Sequence, residues 1–295
     1  MKAEVAIIGG GPASIATAIQ LKRYKIESLL FEQKELGGLL KNAYRVENYL
    51  GFPEGISGLE LVELFKKHLQ IYDSKVIFEK VILLDYKEGV FLIKTSKDTY
   101  YSNMVVVASG TKPKTLDVVE TLSEELKNKI FYEIYPILNI QRKRIVIIGA
   151  GDIAFDYALN LSKNNEILIV NRGNRVKALP LLVDRVMNNP RIRHFKNSLI
   201  RKIDKGKEKA LLITFLKQEE IILIDADYVV VAIGRVPQKD FYSPNLIKME
   251  QRLLSQGLLY LAGDVKNNIY RQTAIAIGDG IYTAMKIYWG RYEGH

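Results

Sequence analysis

The sequence predicts an α/β protein in which two nucleotide-binding domains share one chain, the second inserted into the first. Three observations predict it. A strand, a glycine turn and a helix start occur twice: Val5-Ala6-Ile7-Ile8 leads into Gly9-Gly10-Gly11-Pro12-Ala13-Ser14, and Arg144-Ile145-Val146-Ile147-Ile148 into Gly149-Ala150-Gly151-Asp152-Ile153-Ala154. After each copy a strand closes on a Gly-x-x-Pro turn, Gly110-Thr111-Lys112-Pro113 and Gly234-Arg235-Val236-Pro237. The chain has 295 residues, 48% of them hydrophobic, enough for two cores. Each copy is therefore expected to be a Rossmann-like domain of three ββα layers. The first would occupy 1–113 and 239–295, and the insert 114–238.

Composition excludes several classes. Lys and Arg total 43 against 33 Asp and Glu, a net charge of +10, which steers acidic partners to the surface. The cations are scattered, and 191–201 and 201–209 read as solvated edges, not as a nucleic-acid stripe interleaved with aromatics. Plain solvation and the docking of an acidic protein both remain open for this charge. Apolar runs such as 228–233 are far shorter than the ~20 residues of a membrane span. Met1-Lys2 leads into a strand and a glycine turn, not a signal peptide, so the expected compartment is the cytoplasm. With no cysteine, the chain forms no disulfide and holds no iron–sulfur cluster through its own thiolates. His68, His194 and His295 lie far apart without ligand spacing, so no metal site is expected.

The first glycine turn is continued by a helix to about Tyr24 and a strand over 28–31 that Glu32 closes. Gly9 and Gly11 let the backbone turn and approach a pyrophosphate at the helix N-terminus, which Pro12 opens. Glu32, about 20 residues further on, is placed to accept hydrogen bonds from a ribose. Ser14 stands where a third glycine is usual, a small change at a packing position. Next come Glu35-Leu36-Gly37-Gly38-Leu39-Leu40 and Tyr44-Arg45-Val46-Glu47-Asn48-Tyr49-Leu50-Gly51-Phe52-Pro53-Glu54-Gly55-Ile56-Ser57-Gly58. Glycine and proline this dense make a folded loop that could wrap a flat ligand, and Ser57 caps an amphipathic helix to Ile71. Lys87-Glu88-Gly89 reads as a hairpin turn between β-rich runs.

Gly-Gly followed by Val-Glu-Asn-Tyr and Gly-Phe-Pro-Glu-Gly-Ile resembles the flavin-wrapping segment of the low-molecular-weight thioredoxin reductases. The resemblance implies FAD, with Gly38 and Asn48 near it. Leu39 departs from the family's usual Gln.

Thioredoxin reductases carry a Cys-x-x-Cys pair where counting back from the second glycine turn reaches Tyr132 and Tyr135. Their dithiol chemistry is thus closed to this chain. Tyr132-Glu133-Ile134, followed by Gly149-Ala150-Gly151-Asp152-Ile153-Ala154-Phe155-Asp156-Tyr157-Ala158-Leu159, is similar to the thioredoxin-reductase-like ferredoxin–NADP reductases, with departures at Ala150, Ile153 and Tyr157. Packed aromatics without a role in electron flow are the other reading of Tyr132 and Tyr135.

The strand 166–170 ends at Asn171, where an NAD site would carry Asp or Glu; Arg172, Arg175 and Lys177 follow. These cations favour a 2′-phosphate, so NADPH is the expected donor, with NADH possible. The family's His-Arg-Arg-x-x-x-Arg keeps one Arg here as Arg172 and ends in Lys177. A degenerate pocket that kept the glycine turn of Gly149, Gly151, Asp152 and Ile153 for packing alone is the alternative. Gly110 and Gly234 mark the two crossings between domains, or else two ordinary turns.

A strand over 258–265 is expected to end in Gly263-Asp264, and Arg271-Gln272-Thr273 to start a helix toward Trp289 whose backbone donors face a ligand. Both pieces resemble thioredoxin reductases, which implies flavin contacts for Asp264, Arg271, Gln272 and Thr273. Ferredoxin reductases of this type usually have a C-terminal extension over the flavin, whereas this sequence stops at Gly294-His295.

The expected activity is hydride transfer from NADPH to FAD, then electron transfer to ferredoxin or another acidic acceptor, in a homodimer. No side chain is expected to act as an acid or base, because the flavin carries the chemistry. The alternatives are an NAD(P)H oxidase or reductase of another acceptor, and a non-catalytic flavin-binding sensor or partner subunit.

Overall fold

The computed structural model describes residues 2–207 and 210–291; Met1, the end of the 201–209 segment, Gly294 and His295 lie outside them. The chain divides into two compact units. Unit 1 holds 2–41, Arg45–Lys112 and 236–291, and unit 2 holds Asn42–Tyr44 and Pro113–Arg235.

Unit 1 begins with β1 (Lys2–Ile8), α1 (Pro12–Arg23), β2 (Ser28–Glu32), α2 (Gly58–Ile71), β3 (Lys75–Phe78), β4 (Val81–Lys87), β5 (Val90–Thr95), β6 (Thr99–Val107) and β7 (Thr111–Pro113). Strands β3, β2, β1 and β6 pair in parallel in that order. β1 is apolar from Val5 to Ile8 and buried on both faces: Val5 and Ile7 meet α1, while Ala6 and Ile8 meet the opposite layer. That opposite layer is the antiparallel meander β4–β5–β6, which turns at Glu88 and Gly89, both at positive φ. Ser57 and Glu60 form a reciprocal capping box that starts α2.

Unit 2 continues with α3 (Asp117–Glu120), α4 (Glu124–Lys127), β8 (Ile130–Phe131), β9 (Arg144–Ile148), α5 (Asp152–Leu161), β10 (Glu166–Val170), α6 (Pro180–Met187), β11 (Ile192–Phe195), β12 (Ser198–Lys205), β13 (Leu211–Lys217), β14 (Glu220–Ala226) and β15 (Tyr228–Val231). Its sheet β11-β10-β9-β15-β8 is parallel throughout. Ile145 and Ile147 face α5, and Val146 and Ile148 face the meander β12–β13–β14. The two units therefore repeat one plan of helix, parallel sheet and antiparallel meander. Residues 191–205, read from sequence as solvated edges, form β11 and β12: Ile192 and Ile203 point inward while Arg193, Arg201, Lys202 and Lys205 keep the outer face charged.

The chain then forms β16 (Arg235–Pro237), α7 (Pro244–Ser255), β17 (Leu259–Leu261) and α8 (Thr273–Gly290). β17 adds in parallel to the last residues of β6 and completes the first sheet. The strand expected over 258–265 is shorter, since Gly263 at φ +75° breaks it into a 3-10 turn over Gly263–Val265. The two crossing segments, β7 and β16, pair with each other as a two-stranded ribbon. Among the described residues, no helix is long and apolar enough to cross a membrane.

Candidate functional site

In unit 1 the backbone leaves β1 through Gly9, whose φ is +113° and whose N–H donates to the Phe31 carbonyl at 2.8 Å. A Cβ at Gly9 would lie 2.4 Å from the Ala108 carbonyl oxygen, so no other residue fits between β1 and β6 here. Gly11 is the N-cap of α1, and nothing stands within 4 Å of where its Cβ would be. The first turn of α1 thus starts its backbone N–H groups beside open space at Gly11, with Pro12 at the first helical position. Ser14 is fully buried, and its Oγ donates to the Ala108 carbonyl at 3.4 Å.

The loop after β2 closes on this turn. Gly37 N–H donates to the Gly10 carbonyl at 2.8 Å, and a Cβ on Gly38 would come within 3.2 Å of Gly11 Cα. Glu32 reaches back over Gly10, where a Cβ would sit 2.6 Å from its Oε2, and its other oxygen accepts from Lys34 N–H at 2.9 Å. Burial pushes the Glu32 carboxyl up, and backbone N–H donors from Lys34, Gly10 and Gln33 pull against that rise. A half-buried carboxylate beside a glycine turn is suited to accepting hydrogen bonds from hydroxyl groups.

A second helix N-terminus converges on the same place. A Cβ on Gly263 would lie 2.9 Å from Ala13 Cβ, in the first turn of α1, and a Cβ on Gly280 would lie 2.2 Å from the Ala13 carbonyl oxygen. Thr17 Oγ donates to the Gly280 carbonyl at 3.2 Å, and Tyr24 stacks on Tyr288 at 4.1 Å. α1 and α8 therefore run side by side with their N-termini at the same end of the unit. Gln272 caps α8 in an extended conformation ahead of Thr273, and its Oε1 accepts from Asn48 Nδ2 at 2.9 Å. Asn48, Gln272 and Thr273 are thus brought together, 224 residues apart in sequence for the first two. Asp264 is half-buried in the Gly263–Val265 turn, and Arg271 is half-buried just before α8.

Sequence reasoning missed Asp279. From α8 it accepts from Gly263 N–H at 3.1 Å and Asn267 Nδ2 at 2.6 Å, and it pairs with Lys266 at 2.8 Å. It fixes the turn that carries Asp264. A carboxylate set between Gly278 and Gly280 in a mostly apolar helix was the available signal.

Unit 2 repeats the glycine turn. Gly149 has φ +146°, and a Cβ there would meet the Ala232 carbonyl oxygen at 2.3 Å. Gly151 caps α5 and has open space where its Cβ would stand. Asp152 is committed locally: its Oδ1 accepts from Leu179 N–H at 2.7 Å, while Lys177 N–H donates to the Ala150 carbonyl at 2.8 Å. The Lys177 segment is thereby laced to the glycine turn, and Ile153 packs against the core under it. Arg172, Arg175 and Lys177 are exposed, and none is in an ion pair with a described residue. Asn171 is buried instead.

Gly110 and Gly234 each lie just before a boundary between the two units, at Lys112–Pro113 and Arg235–Val236. Both have positive φ; the Gly110 carbonyl accepts from Gln238 N–H at 3.0 Å and the Gly234 carbonyl from Lys114 N–H at 2.9 Å. Tyr132 packs half-buried against the meander-side core, where burial pushes its phenol up. Tyr135 is not packed in that way; it is 36% exposed and opens a short 3-10 helix. Among the described residues no three His, Asp or Glu side chains are grouped to hold a metal ion.

Comparison with known proteins gives a consistent result. A family model described as pyridine nucleotide-disulphide oxidoreductase matches residues 3–280. A thioredoxin reductase of Chlamydia pneumoniae is 29% identical over 299 residues, covering 95% of this chain and 96% of that one. The crystal structure of T. acidophilum thioredoxin reductase superposes with a TM-score of 0.86 at 27% identity, covering 99% of both chains. The bacillithiol disulfide reductase of Staphylococcus aureus shares the fold, with a TM-score of 0.76 at 21% identity over the whole of both chains.

Proposed function

The chain belongs to the pyridine nucleotide-disulphide oxidoreductase family, and from that premise we propose that it is an FAD-dependent reductase that draws on NADPH and delivers electrons to a ferredoxin, not to a dithiol. Thioredoxin reductases bind FAD and NADPH, and the open glycine turns at the starts of α1 and α5 support one such site in each unit. The observation that carries the reading is the composition: the chain has no cysteine, so it cannot form the disulfide through which a thioredoxin reductase passes electrons to its partner. A bound flavin supplies hydride acceptance and single-electron release.

The residues of this chain bind and orient. Unit 1 would hold FAD. Gly9, Gly11 and Gly38 clear the approach to the α1 N-terminus for a pyrophosphate, with Pro12 and Ser14 shaping the turn. Glu32 would accept from the adenosine ribose. Asn48, Gln272 and Thr273 would present polar groups to the flavin from two loops locked by the Asn48–Gln272 hydrogen bond, with Asp264 and Arg271 beside them. In unit 2, Gly149, Gly151, Asp152 and Ile153 would form the pyrophosphate turn for NADPH, with Arg172 and Lys177 toward the 2′-phosphate and NADH as the weaker donor. Gly110 and Gly234 would let the crossings bend. The charge of +10 supports an acidic partner. The exposed Ile275, Tyr282, Met285 and Trp289, on one stripe of α8, support a homodimer; the compartment in this reading is the cytoplasm.

The test is anaerobic NADPH oxidation by the purified yellow protein with cytochrome c as final acceptor, with and without a ferredoxin of the same organism, on a sample whose mass is fixed by light scattering. Strong acceleration by ferredoxin is expected. A flavin that stays oxidised under NADPH would identify a sensor, and rapid turnover indifferent to ferredoxin would identify another acceptor.

A further inference from the structure

β10 and β11 pair in parallel with Ile169 opposite His194, which places the His194 ring on the α5 side of the sheet, edge-to-face with Phe155 at 5.5 Å. Asn171, two residues beyond Ile169, shares that side and is only 7% exposed. Its main chain is fully used, with N–H donating to the Phe195 carbonyl and the carbonyl accepting from Ser198 N–H. Its Nδ2 donates to the Gly173 carbonyl, which also accepts from Asn197 N–H. A carbonyl only accepts, so the amide nitrogen must face Gly173 and the amide oxygen must face His194, 2.7 Å from Nε2. His194 Nε2 therefore carries a proton and donates it. Burial, with Lys196 nearby, pushes the imidazole below its ordinary range, which favours the neutral ring with that proton.

We propose that His194 is a positioning residue for cofactor selection: through Nε2–H it holds Asn171 inward and pins the Asn171–Gly173 turn so that Arg172 faces a ribose 2′-phosphate. A carboxylate at 171 could take the His194 proton but could not donate to Gly173. It would set a negative charge against the Gly173 carbonyl and beside Arg172, the arrangement suited to ribose hydroxyls and not to a phosphate. The inference rests on the reading of unit 2 as an NADPH site.

The experiment is calorimetric titration of the FAD-loaded protein with 2′,5′-ADP and with 5′-ADP, which differ only in the 2′-phosphate. His194→Phe keeps an aromatic ring against Phe155 but removes the donor; 2′,5′-ADP is expected to weaken about tenfold and 5′-ADP by less than about twofold. His194→Gln, which can still donate, should recover most of the loss, a rescue that simple repacking would not produce. Asn171→Asp should lower the preference for 2′,5′-ADP in the same direction, and it carries the test if His194→Phe fails to fold. Unchanged preference in His194→Phe and Asn171→Asp, or equal loss of both probes in the Phe and Gln variants, overturns the inference alone. Equal binding of the two probes by the unaltered protein overturns the NADPH reading, and this inference with it.

Discussion

Two glycines, Gly9 and Gly149, hold equivalent places in the two units, and each has a carbonyl oxygen, of Ala108 or Ala232, at 2.4 or 2.3 Å from the position of a missing Cβ. A methyl group cannot occupy that space, and positive φ adds strain for any L side chain, so substitution must push the glycine turn away from the neighbouring strand. Because the two turns lie in separate compact units, the damage should be separable. Gly9→Ala is expected to lower the flavin content of the purified protein at least about fivefold while 2′,5′-ADP binding persists; Gly149→Ala should do the reverse. Absorbance at the flavin band and calorimetry with 2′,5′-ADP read the two effects. Loss of flavin in both variants would show that the turns do not act independently.

Among the elements, the junction of β4 with α7 depends on one buried carboxylate. Asp85 accepts from Ser243 Oγ at 2.6 Å, Asn245 Nδ2 at 3.1 Å and Tyr86 N–H at 2.9 Å, and pairs with Lys87 at 3.2 Å, while Ser243 also caps α7 by accepting from Leu246 N–H. Burial raises the Asp85 carboxyl, but these donors outweigh it and bring it down to about 2 from an ordinary 3.8. The folded state therefore favours the ionised form. Its contribution is complete above the unfolded value and is lost as pH falls through about 4 toward 2. Asp85→Asn should remove on the order of 1–2 kcal/mol of that acid dependence, read as a flatter plot of unfolding free energy between pH 5 and 3. A variant that loses stability with acid as steeply as the parent would show that other carboxylates set the slope. This junction was not legible in the sequence, since Ser243 and Asn245, the two donors that tie β4 to α7, lie 158 and 160 residues from Asp85. The strands and glycine turns were legible because their signals are local: a four-residue apolar run such as Val5 to Ile8 needs cover on both faces wherever it occurs. Asp279, the His194–Asn171 contact and the meander β12–β14 were not, because each owes its meaning to a partner elsewhere in the chain. For the same reason 191–205 looked merely basic, although every buried residue needed for two strands was present.

For the whole molecule the governing quantity is charge. Ten more cations than anions on a chain of 295 residues, with Arg172, Arg175 and Lys177 exposed, produce a field that attracts an acidic partner before any contact forms. Most of these charges lie at the surface, where the screening length falls from about 30 Å at 0.01 M salt to about 10 Å at 0.1 M. If a ferredoxin is the acceptor, kcat/KM for ferredoxin at saturating NADPH should fall by about tenfold or more between those limits and higher salt, while kcat at saturating ferredoxin changes little. Reduction of a neutral quinone, measured in parallel, should be nearly flat, because an uncharged acceptor feels no steering. That contrast separates a docking surface from a solvated one, the two uses that the composition alone leaves open. If ferredoxin and quinone respond alike to salt, the positive charge serves solubility and the acceptor must be recognised by contacts other than long-range attraction. Steep salt dependence for ferredoxin alone would instead mean that a protein without cysteine kept its fold and exchanged a dithiol partner for one recognised by charge.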